Sequence, residues 1–152
     1  MTNLLTSIVT GFFQTWPSKG LQGPILSYDS QIESLTSTDS GYTLKLRDAG
    51  VDAHIDIDKN YLVTRMVTFN GSIDEHLVFE ATPDGLVFVA NVVHDKTDPR
   101  NPADIRYTLK HNLVDGLRMP VFVNLQVNQN INMNFTLDKC IVSKGKVITL
   151  KP

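Results

Sequence analysis

The fold is decided by residues 107–137, which read YTLKHNLVDGLRMPVFVNLQVNQNINMNFTL. Apolar residues alternate with polar ones before the Asp-Gly pair and again after it, and this period of two predicts half-buried β-strands. Gly116 adopts a positive φ at little cost, and Asp115 can hydrogen-bond to its own backbone, so the pair is a strong hairpin signal. The phrase Asp-Gly-Leu also occurs at residues 84–86, again between two alternating runs. The sequence therefore repeats a strand, turn, strand unit.

Length and composition indicate an ordinary soluble globular protein with one domain spanning residues 1–152. A chain of 152 residues can bury a single core, and 41% apolar with 20% charged residues is typical of folded domains. The net charge is −2, and the 14 Lys and Arg residues are scattered without a basic stripe. We therefore expect no nucleic-acid partner. No apolar run reaches the ~18 residues that a membrane-spanning helix needs, so no transmembrane segment is predicted.

The lone cysteine and the N-terminal residues leave the compartment open. Cys140 has no second cysteine to pair with, which excludes an internal disulfide and a multi-thiolate zinc site, and a half-buried structural thiol is expected. The N-terminus shows neither a basic region with a cleavage site nor a cysteine that could carry a lipid. The expectation is an unanchored protein, either cytoplasmic or, with a leader removed, extracytoplasmic.

Residues 2–16 form the one predicted helix. Thr2 or Asn3 can cap its start, and Pro17 prevents its continuation. We expect its apolar stripe to pack on a sheet, because a membrane-surface helix would need basic residues on the polar side and none precedes Lys19. The stripe consists of Leu4, Leu5, Ile8, Val9, Phe12, Phe13 and Trp16.

After an irregular connector at residues 17–30, every segment up to residue 151 has strand character. About nine strands recur at spacings near ten residues with turn signals between them, which indicates an antiparallel meander. Residues 95–102 are too rich in proline to be strand. The predicted fold class is α+β, mostly β: a curled antiparallel sheet, or incomplete barrel, covered by the N-terminal helix. A fully closed barrel is the second choice.

The sequence offers no arrangement that predicts catalysis, a metal or a cofactor. His54, Asp56 and Asp58 alternate on one strand, but residues two apart on a strand are about 7 Å apart, so a solvated face is the better interpretation. Nucleophile motifs and glycine-rich phosphate loops are missing. A carboxylate pair from four residues remains open, and we otherwise expect a protein that is not an enzyme. Those four residues are Glu33, Asp74, Glu75 and Glu80.

Aromatic and methionine residues in phase with the apolar faces carry two interpretations. They either fill a solid core, or they line a cavity between helix and sheet that takes an acyl chain or other hydrophobic ligand. The candidate ligand-binding residues are Phe12, Phe13, Trp16, Leu46, Phe69, Phe79, Phe88, Met119, Phe122, Met133 and Phe135. An uncharged row on the last long hairpin suits a protein partner, a second copy or water. That row is Asn124, Gln126, Asn128, Asn132 and Asn134.

Two segments carry a resemblance to a known family. Residues 114–120 read VDGLRMP, and residues 55–65 read IDIDKNYLVTR. Together with the order of elements they resemble the lipoprotein-carrier superfamily of periplasmic lipoprotein-sorting chaperones and mycobacterial lipid-transfer lipoproteins. The resemblance implies a half-barrel whose cavity binds lipid or lipid-modified protein without catalysis. The chain departs from that family in having one predicted helix, and none of the family's ligand contacts can be matched to it.

These observations predict a non-enzymatic binder or carrier of a hydrophobic ligand. The alternative is a structural or protein-interaction module with a solidly packed core and no ligand.

Overall fold

The computed structural model describes residues 30–48, 50–83, 85–114 and 116–137, which form one nine-stranded antiparallel sheet. The strands lie side by side in chain order, so each one pairs with its neighbours in the sequence. They are β1 (Gln31–Thr38), β2 (Gly41–Asp48), β3 (Val51–Asp58), β4 (Val63–Thr68), β5 (Ile73–Thr82), β6 (Gly85–Asp95), β7 (Ala103–Val114), β8 (Leu117–Val127) and β9 (Ile131–Thr136). The predicted mostly-β antiparallel meander is confirmed, and the sheet is not closed into a barrel. The predicted helix, the connector and a last strand near residues 147–150 lie outside the described residues.

The turns follow the sequence signals. Val114 pairs with Leu117 and Thr82 pairs with Gly85, so two-residue turns join β7 to β8 and β5 to β6. Gly116 has a φ of 82°, a conformation that glycine adopts without the steric cost of a Cβ atom. Residues 96–102 lie outside the sheet, as the prolines predict, and Asp98 accepts a hydrogen bond from the backbone N–H of Arg100 at 3.0 Å.

Pairing gives the sheet two chemically different faces. Residues directly opposite in an antiparallel pair point to the same side, so Leu44 and its partner Ile55 share one face, while Thr43 and Asp56 share the other. We call the first the apolar face; it carries Leu44, Leu46, Ile55, Met66, Leu77, Phe88, Leu109, Val123, Leu125 and Phe135. We call the second the polar face; it carries Thr43, His54, Asp56, Arg65, Asp74, His76, His94, Asp104, Asn124 and Gln126.

The core lies on the apolar face in two clusters. The first contains Leu77, Phe88, Leu109 and Val123 from four consecutive strands. The second contains Leu44, Leu46 and Ile55 from β2 and β3. Val63 and Met66 of β4 pack against both clusters and join them. Burying one such aliphatic side chain contributes about 1.5–3 kcal/mol, so this face supplies most of the apolar stabilisation of the described sheet.

Four strand pairs contain a β-bulge. In each, one residue of the bulged strand has no partner in the ladder: Glu33 in β1, Thr64 in β4, Val89 in β6 and Val121 in β8. A bulge bends its strand and increases the local twist, so bulges in alternate pairs favour a bent sheet. Each bulge also resets the alternation, which keeps the apolar residues of both strands on one side.

We predict that Gly41→Ala destabilises the protein by about 2 kcal/mol or more. Gly41 has a φ of 152°, and a Cβ atom there would collide with the carbonyl oxygen of Ile57 and lie 2.7 Å from the carbonyl carbon of Asp58. Gly50→Ala is the matched control, because Gly50 has a φ of 81° but nothing within 4 Å of the added carbon. It should cost about 1 kcal/mol. Urea unfolding of both variants checks this, and equal losses would contradict it.

Candidate functional site

Part of the predicted ligand-binding set lies together on the apolar face. Phe79 and Phe88 are paired across β5 and β6 with ring centroids 5.6 Å apart, and both belong to one cluster with Phe135. Leu46 lies in the second cluster and is 1% exposed, and Met133 pairs with Leu125 on the same face. Phe79, Met133 and Phe135 are half-buried, so their side chains remain accessible at this surface.

Other members of that set lie elsewhere. Phe122 pairs with Lys110 on the polar face, where the lysine Nζ lies 5.4 Å from the ring centroid. The Val121 bulge shifts the alternation of β8 by one residue. Met119, which pairs with Asn112, therefore also lies on the polar face. Phe69 is 52% exposed in a 3₁₀ turn between β4 and β5. Three more residues fall outside the described part of the chain: Phe12, Phe13 and Trp16.

A polar island interrupts the apolar face at Glu75, Asn91 and Tyr107. Asn91 is 4% exposed, pairs directly with Tyr107, and donates from its Nδ2 to Glu75 Oε1 at 2.5 Å. Burial, and next the negative charge of Glu75, raise the pKa of the Tyr107 hydroxyl. This group was not predicted from the sequence. The available signal was that Glu75 and Asn91 each occupy a position at which the alternation calls for an apolar residue.

The polar face carries a row of alternating acidic and basic side chains. Arg65 donates from Nε and Nη2 to the two carboxylate oxygens of Asp74 at 2.8 and 2.7 Å. His76 Nε2 lies 3.2 Å from Asp74 Oδ1, and the His76 ring meets the ring of His94 edge to face with centroids 6.0 Å apart. His94 Nδ1 in turn lies 2.6 Å from Asp104 Oδ1. The row therefore ties β4, β5, β6 and β7 together by side-chain contacts.

The row extends to β3 through Asp56. Its Oδ1 accepts a hydrogen bond from Thr43 at 2.8 Å and lies 3.0 Å from His54 Nε2. Asp58 does not join them, because its Oδ1 accepts from the backbone N–H of Asn60 and of Leu62. Asp58 is thus separate from the other two residues, as predicted, whereas the side chains of His54 and Asp56 are in contact. No group of three or more His, Cys, Asp or Glu within the described ranges is arranged to hold a metal ion.

Two open hollows border the polar face. One, of about 470 Å³, is lined by His94, Asp104, Arg106 and Gln126 among others. The other, of about 410 Å³, lies at the opposite end of the row beside Asp56 and is lined largely by hydroxyl and charged groups. Because the row carboxylates Asp56, Asp74 and Asp104 already have hydroxyl or basic partners, the row is best explained as a structural network.

The uncharged row on the last hairpin is partly satisfied within itself. Asn124 donates from Nδ2 to Asn132 Oδ1 at 2.6 Å and to Asn134 Oδ1 at 2.8 Å. Asn128 accepts from the backbone N–H of Asp104 at 2.8 Å. These amides therefore already reinforce the pairing of β8 with β9 and the turn beside β7.

Comparison of the chain with family models, with curated proteins and with solved structures gives no match. Among the residues that the structure describes, none belongs to a helix long and apolar enough to span a membrane.

We predict that Asp74→Asn lowers the free energy of unfolding by about 1 kcal/mol at pH 7. The Arg65 hydrogen bonds lower the pKa of Asp74, so its contribution is present above the unfolded carboxyl pKa near 3.9 and is lost as pH falls through the folded value. Asp52→Asn is the matched control, since Arg47 binds Asp52 at 2.7 Å on an exposed surface. Denaturant unfolding at pH 7 and pH 2 measures both. A larger loss in the control, or an Asp74 effect that persists unchanged in acid, would contradict the prediction.

We also predict that His111 makes the protein less stable in mild acid. Burial, and next the positive charge of Arg118, lower the pKa of His111, so the unfolded chain binds a proton more readily than the folded one. Stability is then lost as pH falls through the unfolded value near 6.5 towards the folded one. His111→Gln should lose less stability between pH 7.5 and 5.5 than the parent protein. His54→Gln is the control, and it should still show the loss of stability that His111 causes. Melting curves across this range measure the slopes, and an unchanged slope in His111→Gln would rule the idea out.

Proposed function

We propose that this protein binds or carries a hydrophobic ligand on its apolar face without catalysing a reaction. The ligand is a lipid, an acyl chain or a lipidated protein. The observation that carries the proposal is the extended apolar face of the described sheet, on which Phe79, Met133 and Phe135 stay half-buried beside buried neighbours. An apolar surface that remains accessible next to a packed core is the usual lining of a hydrophobic binding site.

The bulges support a concave shape for this face. They occur in four of the eight strand pairs, and a sheet bent at regular intervals curls towards one side. We propose that the curl places the apolar face inside and that the apolar stripe of residues 2–16 covers it. Met66 and Met133 suit such a lining, because the flexible thioether side chain adapts to ligands of irregular shape.

The polar groups support binding without catalysis. Asp74, His76, His94 and Asp104, which are acid or base side chains of the polar face, are held in contacts with one another or with Arg65. The resemblance to the lipoprotein-carrier superfamily points the same way and favours an extracytoplasmic location.

A second candidate is a protein-interaction module. Within the described residues β1 is an edge strand, every residue of it is exposed, and Ile32 and Leu35 are 64% and 63% exposed on the apolar side. An exposed edge strand offers unpaired backbone groups to a strand from a partner or from a second copy. This candidate requires a stable complex and no bound lipid.

We predict that delipidated protein takes up a fluorescent fatty-acyl or phospholipid probe saturably, and that Phe135→Ser weakens uptake about tenfold. Loss of a half-buried aromatic contact with the ligand removes roughly 1.5 kcal/mol of apolar burial. Asn134→Ser is the matched control, because Asn134 is the neighbouring residue on the opposite face. Probe titration measures uptake, and thermal melting confirms that both variants are folded.

Three outcomes decide between the candidates. Saturable uptake that Phe135→Ser weakens and Asn134→Ser leaves unchanged supports ligand binding on the apolar face. No saturable uptake, together with no lipid in an organic extract of the purified protein, overturns it. A stable oligomer in sedimentation with no extractable lipid favours the interaction module.

A further inference from the structure

The polar island contains a buried hydrogen-bonding atom without a partner. Asn91 is 4% exposed, and over the described residues its side-chain oxygen, Oδ1, accepts no hydrogen bond. The amide nitrogen of the same side chain donates to Glu75 Oε1 at 2.5 Å. One end of the amide is therefore satisfied and the other is not.

The orientation of the amide follows from its neighbour. A carboxylate only accepts hydrogen bonds, so the atom of Asn91 that faces Glu75 has to be the NH₂ group. The opposite atom is then the carbonyl oxygen, which can only accept. The buried oxygen of Asn91, which has no partner among the described residues, therefore calls for a hydrogen-bond donor.

A buried acceptor without a partner costs about 1–3 kcal/mol relative to one that is hydrogen-bonded. Asn91 lies among apolar residues, since it pairs with Leu77 on one side and Glu75 pairs with Val93. An aliphatic residue at position 91 would match this face and avoid the cost. A binding site that recognises a polar group in an apolar pocket is a physical reason for an amide at this position.

The charge at the island selects the kind of donor. The Glu75 carboxylate lies within hydrogen-bond distance of the Asn91 amide, so a donor that reaches Asn91 Oδ1 enters the field of a negative charge. An ammonium group has the most favourable electrostatic interaction with this carboxylate, a hydroxyl has a weaker one, and a ligand carboxylate is repelled. The raised pKa of Tyr107 keeps its phenol neutral, so the island carries no second negative charge from that side.

We propose that the polar island binds the head group of an amphipathic ligand that carries an N–H or O–H donor, with an ammonium head preferred over a carboxylate. The acyl or alkyl tail lies along the apolar face beside Phe79, Phe88 and Phe135. This inference rests on the proposed hydrophobic binding function and names the ligand chemistry of the same face.

The test compares three ligands that share a decyl chain and differ only in the head group: decylamine, decanol and decanoate. Each is titrated below its micelle concentration into delipidated full-length protein at pH 7 by isothermal titration calorimetry. We expect decylamine to bind at least tenfold more tightly than decanoate, with decanol between them. Since tenfold in affinity corresponds to about 1.4 kcal/mol, this preference is readily measured.

Two variants locate the preference at the island. Glu75→Gln removes the charge and should reduce decylamine affinity about tenfold while leaving decanol within a few fold. Asn91→Leu removes the acceptor and should weaken both decylamine and decanol. Asn112→Leu is the matched control, since Asn112 is an exposed asparagine that pairs with Met119 outside the island. If melting shows that Asn91→Leu does not fold, the Glu75→Gln series decides the question.

The outcomes separate this inference from the function on which it rests. The inference is supported if affinity falls in the order decylamine, decanol, decanoate and if Glu75→Gln removes most of the difference between these affinities. Equal binding of all three ligands, or tightest binding of decanoate, overturns the head-group inference and leaves hydrophobic binding intact. Binding of none of the three overturns both.

Discussion

The register of the antiparallel ladder is the constraint on which this structure depends. Side chains alternate across a strand, so a slip of one residue would move an entire apolar set to the other side. Leu109 faces Val123 and Tyr107 faces Leu125, and the buried members of these pairs belong to the core. A one-residue slip of β8 would expose Leu125, which is fully buried, and would place Asn124 in its position. The cost of that exchange fixes the pairing more strongly than the turn does.

The bulges show how this constraint acts along the chain. Thr64, Val89 and Val121 each insert one residue, and the strand beyond each bulge would otherwise present the wrong face. The extra residue restores the alternation, so that apolar-face positions continue after the bulge. Phe88 and Asn91, on either side of Val89, both lie on the apolar face. The same devices bend the sheet. One local feature thus serves both the continuity of the core and the bending of the sheet.

Alternation and turn residues were enough to predict the meander of the described residues and, to within one residue, the excursion predicted at residues 95–102, because these are local properties. They did not place the site. Phe122 and Met119 look like lining residues from their type, yet pairing puts them beside Lys110 and Asn112 on the polar face. The island was also missed, since Glu75 and Asn91 are 16 residues apart and only the β5 and β6 register brings them into contact. A bulge and a cross-strand contact are set by tertiary pairing, which single-strand periodicity does not encode.

The two faces also differ in how their polar groups are satisfied. Contacts on the polar face link five strands through Asp56, Arg65, Asp74, His94 and Asp104, and each of these groups has a side-chain partner within 4 Å. The apolar face holds the opposite kind of feature, a buried amide oxygen that accepts no hydrogen bond from the described residues. Natural folds satisfy their polar groups almost everywhere, and the exceptions call for an explanation such as a functional site or a strained one. A sheet whose register is fixed by buried apolar pairs and reinforced by the charged row can tolerate such an atom, which is why we propose recognition at Asn91 and a structural role for the charged row.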